Sequence, residues 1–473
     1  MSEKDPPTKR KWTVLIYMAG DNNLSEEMVY SLTEAKDALT DNDDQLAVLA
    51  QFDPAGVRVQ TRRYRLRGSK TQSLKQDAIA TRWTASETDT GEPQNLLEFV
   101  RWGMSECPAE HFMLVLVGHG SGTDDDFLLR DDNPPNALSI LELRQVFEHL
   151  TADGRTIDIL GFDTCLMNMA EVSFELLRTN VTFMVGSEGF APNTGWPYRN
   201  ILTILGEHIS EGTIASPEWL SRQIVDEYKT FYEPYISGGI SVDQSVLEVK
   251  KIDEVKMKMF SLVDVLLQEF DDNELDYSTP EKPKPKQNAL LLAHWETQSY
   301  NGERFVDLYD FCERLAVRYR EATGYDGSNV TSEVIERCGL VQDAIAKLVI
   351  RSCAAGPAFQ YSNGLSIYFP WAVCSPNYGN LAFARETRWL DFLTRYHEKT
   401  QREGRSKVEL EPPFPPFRNS VPWLKGRDGY VESMRNPPTK DYSDCQDVAS
   451  RQREPAETTS DTKTPKGRTK KRK

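Results

Sequence analysis

The 473-residue chain reads as an α/β protein with a mostly parallel sheet, followed by a helix-rich region. Three observations predict this class. Apolar runs of strand length recur in the first half, nearly continuous rather than alternating, as strands covered on both faces should be. Helical patterns separate these runs, and strand–helix alternation implies parallel pairing in a layered architecture. Beyond about Val249 the short runs give way to longer amphipathic patterns.

In chain order, residues 1–11 are polar and expected to be disordered. TVLIYMA (13–19) opens the first domain as a strand. A helical pattern over 24–39 follows, with Asn23 or Ser25 as its cap. LAVLAQF (46–52) is the second strand, and RVQTRRYRLR (58–67) reads as an added meander strand. Helical patterns at 95–105, 138–150 and 166–178 alternate with strands FMLVLV (112–117), IDILGF (157–162) and VTFMVG (181–186). The first domain is placed at 12–249 and a helix-rich second domain at 250–404. The second holds an amphipathic helix at 250–270, a polar Pro/Lys stretch at 278–287, and helices at 305–320 and 333–351. GLSIYFP (364–370) reads as a strand and 385–398 as a helix. The proline- and charge-rich segment 405–473 reads as a disordered tail.

Charge and cysteine usage narrow the setting. Net charge is −16, although the last eight residues, KGRTKKRK, carry six positive charges, so the body is more acidic still. Such a body repels nucleic acid and suits a basic partner or substrate. No apolar run reaches the ~18 residues of a membrane span, and the N-terminus lacks a signal-like apolar core. A cytoplasmic location is therefore expected. Seven cysteines without CxxC spacing indicate neither a disulfide framework nor a zinc site.

Two stretches carry chemistry. LVLVGHGSGTDDD (114–126) and IDILGFDTCLMNMAEV (157–172) each end an apolar strand in reactive residues, His119 and Cys165. Ligands of open α/β sheets gather at the carboxyl ends of strands. Neighbouring strands lie ~4.8 Å apart, which brings side chains at their tips within reach of one another. An imidazole beside a thiol makes a nucleophile, and a helix starting at 166 would lower the thiol pKa further. The N–H groups of Gly120 and Cys165 are the candidate oxyanion hole. A lone cysteine at a strand end is usually a small buried hydrophobe, and a lone histidine a satisfied surface residue. Their joint placement, with glycines where backbone must be exposed, favours catalysis. Dinucleotide binding fails, because Thr123 stands where the third glycine belongs and Asp124, Asp125 and Asp126 would repel a pyrophosphate.

The ordered motifs WTVLIYMAGDNNL, GHGSG, GFDTCLMNMAEV, GSEGFAPNTGWPY and NGLSIYFP resemble the clostripain family (peptidase family C11) of caspase-like cysteine peptidases, over about Trp12 to His397. The resemblance implies a caspase-like three-layer α/β/α sandwich and cleavage of proteins after Arg, then Lys. It implies His119 as general base and Cys165 as nucleophile. It places Asp163 at the floor of the pocket for the residue before the scissile bond, with Ser187, Glu188 and Trp196 also binding substrate. A carboxylate there pairs with a guanidinium through two parallel hydrogen bonds. One departure is Pro197, because some relatives carry Trp-Asp-Tyr where this chain has Trp196-Pro197-Tyr198.

Relatives are often zymogens cut between the His and Cys segments, by themselves or by another protease. Arg130, in a stretch expected to be exposed (124–137), is the chosen cut site. No cofactor is required on this reading. Some relatives respond to Ca²⁺, for which Asp124, Asp125, Asp126, Asp131 and Asp132 supply hard oxygens without the DxDxDG spacing, so a solvated acidic loop is the simpler account. The competing class is a silent scaffold binding a protein partner in the same cleft.

Overall fold

The computed structural model describes residues 9–40, 44–56, 59–68, 73–79, 88–272, 285–323 and 332–402. The KGRTKKRK tail, with the rest of 405–473, lies outside the described residues, as do residues 1–8 and most of the Pro/Lys stretch. The strands in chain order are β1 (Arg10–Gly20), β2 (Leu46–Pro54), β3 (Arg62–Arg65), β4 (Ala109–Val117), β5 (Leu128–Asp132), β6 (Pro135–Leu138) and β7 (Ile157–Asp163). They continue with β8 (Val181–Gly186), β9 (Val242–Glu248), β10 (Ser299–Tyr300), β11 (Phe305–Asp307), β12 (Val349–Ala355) and β13 (Ser366–Tyr368).

Eight of them form one sheet in the order β12-β9-β8-β7-β4-β1-β2-β3. Five successive strands, β8 to β2, run parallel; β3 pairs antiparallel at one edge, and β9 and then β12 add antiparallel pairings at the other. Each central strand buries both faces, which accounts for the continuous apolar runs. Along β1, Trp12, Val14, Ile16 and Met18 join one buried cluster, while Leu15, Tyr17 and Ala19 join the other. Helices Ser25–Asp37, Tyr198–Ser210 and Pro217–Tyr232 cover the first face, and Pro93–Glu106 and Ile140–Ala152 the second. The result is a three-layer α/β/α sandwich.

Local sequence explains several element starts. Pro93 sits in the first helical turn, where a missing N–H costs nothing. Ser139 and Glu142 form a reciprocal capping box for Ile140–Ala152. The cap expected at Asn23 or Ser25 is different. Leu24 holds that position without a side-chain cap, and the Asn22 Oδ1 accepts its N–H at 2.9 Å.

The later region shares both sheet and core with the first. β12 pairs with β9, and one buried cluster runs from Leu15 to Tyr396. The sequence pattern assigned 349–351 to a helix and left β9 unread. The helix ends at Leu348, and pairing with β9 decides the rest. Helices Tyr198–Ser210 and Pro217–Tyr232 were also missed, and the single helix expected over 385–398 is two, Ala382–Glu386 and Trp389–Arg402.

Candidate active site

The register of the parallel strands builds the site. Met18 of β1 lies opposite Val117 of β4, and Val117 lies opposite Asp163 of β7. Each strand then exits at the same edge. His119 and Cys165 both stand two residues beyond a paired position, on adjacent chains. The Gly118 N–H donates to the Asp163 carbonyl at 3.3 Å, extending the ladder into the exits. A Cβ on Gly120 would lie 2.6 Å from the Cys165 carbonyl oxygen, so only glycine allows this approach.

A cleft opens at this edge, on the side of helix Ser25–Asp37. Val117, Gly118 and His119, then Asp163, Thr164 and Cys165, line it from the strand exits. Leu24, Glu27, Met28 and Ser31 line it from the helix, and Ala191, Pro192, Asn193 and Gly195 from the loop after β8. His119, Cys165 and Asp163 thus line one cleft, and Gly120 lies against the Cys165 backbone beside it.

The His119 Nε2 lies 2.7 Å from the Asn23 Oδ1. An amide oxygen only accepts, so Nε2 carries the proton and Nδ1 keeps its lone pair. Burial and the positive charge of Arg130 bring the imidazole pKa down to about 4. Burial pushes the Cys165 thiol up to about 11, and the charges of Asp163 and Asp243 push the same way. Its Sγ faces the Ala191 carbonyl at 3.8 Å. In the resting cleft the pair is therefore a neutral imidazole and a neutral thiol.

The helix expected from residue 166 does not begin there. It spans only Ala170–Glu175, and Leu166 takes a left-handed backbone at φ +63°. The Leu166 N–H goes to the Gly189 carbonyl and the Asn168 N–H to the Ser187 carbonyl. The Asn168 side chain donates to the Gly364 carbonyl at 2.9 Å, binding the segment to the later region. These tertiary bonds displace the first turn of the expected helix. Cys165 consequently lacks a helix N-terminus to lower its pKa.

Asp163 is 6% exposed at the base of the cleft. Its Oδ2 accepts the Trp196 N–H at 3.2 Å and the Tyr198 hydroxyl at 2.8 Å. Burial raises its pKa to about 6 against the pull of those two bonds. Gly195, at φ +72°, leaves the space over this carboxylate open, because a Cβ there would sit 2.8 Å from Oδ2.

Three residues expected to bind substrate do not line the cleft. Ser187 and Glu188 are each 1% exposed, and Ser187 donates to the Gly189 carbonyl at 3.1 Å. Glu188 Oε2 accepts the Gly364 N–H at 2.7 Å. The Trp196 ring packs against Gly161 beneath the sheet edge, and only its N–H reaches the site. Glu188 faces inward because the loop after β8 is tied to Gly364 of the later region, whereas the Trp196 ring joins the buried cluster of the first face.

The segment 124–137 is only in part the exposed loop expected, since Asp125 and residues 134–136 are exposed while the rest is buried or half-buried. It forms the β5–β6 hairpin, with Leu128, Leu129 and Leu138 fully buried. Arg130 lies in β5, paired with Asp132 at 2.8 Å, and its carbonyl accepts from Asn22 at 2.8 Å. The acids considered for Ca²⁺ take separate partners. Asp124 pairs with Arg304, Asp126 accepts the Ile140 N–H, and Asp131 accepts from Thr90. Among the described residues no group of three or more His, Cys, Asp or Glu is placed to hold a metal ion.

Sequence reasoning missed Asn23, Glu27 and Gly195. The first two sit in GDNNLSEE just past β1, the third strand leaving this edge, and that placement was the available signal.

A caspase-like sheet with a thiol and an imidazole at its carboxyl edge is the architecture of a cysteine peptidase. The chain belongs to the clostripain family, whose model matches residues 16–396. Clostripain of Hathewaya histolytica is 23% identical over 420 residues, covering 78% of this chain and 76% of that protein. Among solved structures, a secreted C11 cysteine protease from Bacteroides thetaiotaomicron in complex with an irreversible peptide inhibitor superposes with a TM-score of 0.58. It is 18% identical and covers 80% of this chain and 99% of its own. An inactive zymogen C11 protease from Parabacteroides distasonis gives 0.57 at 21% identity, covering 81% and 99%. The chain is accordingly a cysteine peptidase acting on proteins or peptides. No described helix is long and apolar enough to cross a membrane. The cytoplasmic location expected from the sequence gains no support from relatives, one of which is described as secreted.

Proposed function

We propose that the protein is an endopeptidase using His119 and Cys165 to cut after basic residues, Arg before Lys. The observation that carries this reading is the strand register, which sets both residues two positions past paired neighbours at one sheet edge. The His119 Nδ1 takes the thiol proton as Sγ attacks the scissile carbonyl carbon. The N–H groups of Gly120 and Cys165 receive the developing oxyanion. As the intermediate collapses, the C–N bond breaks and the imidazolium returns the proton to the leaving amine. Water, deprotonated by the same imidazole, then hydrolyses the thioester. Asn23 holds the ring and fixes the tautomer through Nε2. Starting from a neutral pair suits a general-base sequence better than a preformed thiolate. Asp163 at the cleft floor supplies the charge for a basic side chain.

Cys165→Ala and His119→Ala should each lower peptide hydrolysis by several orders of magnitude with melting unchanged. Iodoacetamide should label Cys165 selectively, and His119→Ala should remove that selectivity. Near-normal turnover in Cys165→Ala would sink the reading. The proposal includes slow self-processing after Arg130, which requires the β5–β6 hairpin to open locally because Arg130 sits within a strand. Intact-mass measurement over time decides it: a fully active, uncut chain would remove processing from the mechanism.

A further inference from the structure

Asp163 enters the cleft with half its hydrogen-bonding capacity spent, since Oδ2 already takes two donors. Pro197, between Trp196 and Tyr198, offers no carboxylate beside it. A guanidinium brings five N–H donors in a planar fork, more than one half-engaged carboxylate satisfies.

Glu27 supplies what is missing. It lines the cleft from helix Ser25–Asp37, in company with Leu24, Met28 and Ser31. Its Oε2 is buried without a hydrogen-bond partner. Burial is the main cause of its raised pKa, opposed by a hydrogen bond from its own backbone, and the charge of Glu26 adds to the rise. A buried, unsatisfied carboxylate oxygen costs free energy unless a donor arrives. Other acids of this helix are occupied: Glu34 and Asp37 both pair with Arg199 at 2.8 Å. Glu26 is exposed. A first-turn acid also favours the positive end of the helix dipole, which explains a Glu here without explaining its unpartnered oxygen.

We propose that Glu27 is the second carboxylate of the pocket for the residue before the scissile bond, and that with Asp163 it selects Arg over Lys. The inference rests on the endopeptidase reading above. A guanidinium spans two acceptors on different walls of a pocket, Asp163 from the strand exit and Glu27 from the helix. An ammonium is a point charge that cannot present the same fork to both.

Fluorogenic peptides ending in Arg, Lys or citrulline, the neutral urea analogue of Arg, separate the possibilities. In Glu27→Gln the Arg/citrulline ratio of kcat/KM should fall roughly tenfold, and the Arg/Lys ratio should fall with it. Glu27→Asp, which keeps the charge on a shorter arm, should hold more of the Arg/citrulline ratio than Glu27→Gln. Unchanged ratios in Glu27→Gln, alongside a collapse in Asp163→Asn, would overturn the role of Glu27 alone. A wild-type enzyme that cuts citrulline peptides as well as Arg peptides would instead overturn the basic-pocket reading, Asp163 included. Circular-dichroism melting of both Glu27 variants checks that the helix stays folded.

Discussion

Asp163 and Glu188 are both buried acids, at or just past the ends of parallel strands at the same sheet edge, yet the structure uses them in opposite ways. Asp163 is bound on one oxygen and opens into the cleft. Glu188 turns away from it, towards the Gly364 N–H and the buried carboxylates of Asp243 and Asp307. Burial raises the pKa of Glu188 well above its ordinary value, and the charges of Asp307 and Asp243 add to the rise. Asp243 accepts the Glu188 and Gly189 N–H groups, and Asp307 accepts the Asp310 N–H at 2.7 Å. Residue type and motif membership are alike in the two cases. What separates them is which face of the chain the later region covers.

The largest expected contrast is in kinetics. Asp163→Asn should lower kcat/KM for Arg peptides by roughly 2–4 kcal/mol, the range for losing one partner of a desolvated charge pair. Glu188→Gln should leave it within about twofold. Equal losses in both variants would erase the distinction drawn here.

A second contrast lies in the pH profile. Asp163 has its pKa raised to about 6, so it takes up a proton and loses its charge as pH falls through that value. The kcat/KM for Arg peptides should therefore drop below about pH 6. In Asp163→Asn that acid limb should be gone, leaving the fall expected near pH 4 where His119 protonates. A limb near 6 that survives in Asp163→Asn would assign it to another group.

Asn23→Ala tests the other side of the cleft. Losing one hydrogen bond to the base, about 1.4 kcal/mol, should cost about tenfold in kcat with KM nearly constant. A change confined to KM would make Asn23 a substrate contact rather than the group that orients His119.

The smallest effect concerns stability. Glu188 has a folded pKa above that of an unfolded Glu, so the native state prefers it protonated. That stabilisation is present below the unfolded pKa and is lost as pH rises through the folded one. Glutamine has the shape of the neutral acid. Glu188→Gln should therefore raise Tm by a few degrees at pH values above the unfolded Glu pKa and flatten its decline as pH rises further. A lower Tm with an unchanged slope would show that Glu188 is ionised in the fold.

Much of the architecture was legible along the chain. The five parallel strands were read within a few residues, because strands buried on both faces leave continuous apolar runs that local composition cannot hide. His119 and Cys165 were legible for the same reason, as each ends such a run. The antiparallel strands β9 and β12 were not, since VIRSCAA continues a helical pattern and becomes a strand only through its partner.

The sequence by itself thus determined the class and the sheet edge, and that an imidazole and a thiol both stand at that edge. Strand periodicity and strand-end chemistry are local properties. Only the tertiary structure decided that Cys165 follows an irregular turn instead of heading a helix, because Asn168 and Leu166 answer to Gly364, Ser187 and Gly189. It alone turned Glu188 inward, closed 128–138 into a hairpin, and set Glu27 and Asp163 in the lining of one cleft. Each of these depends on hydrogen bonds and burial between residues far apart in the chain, and such contacts leave no periodic trace along it.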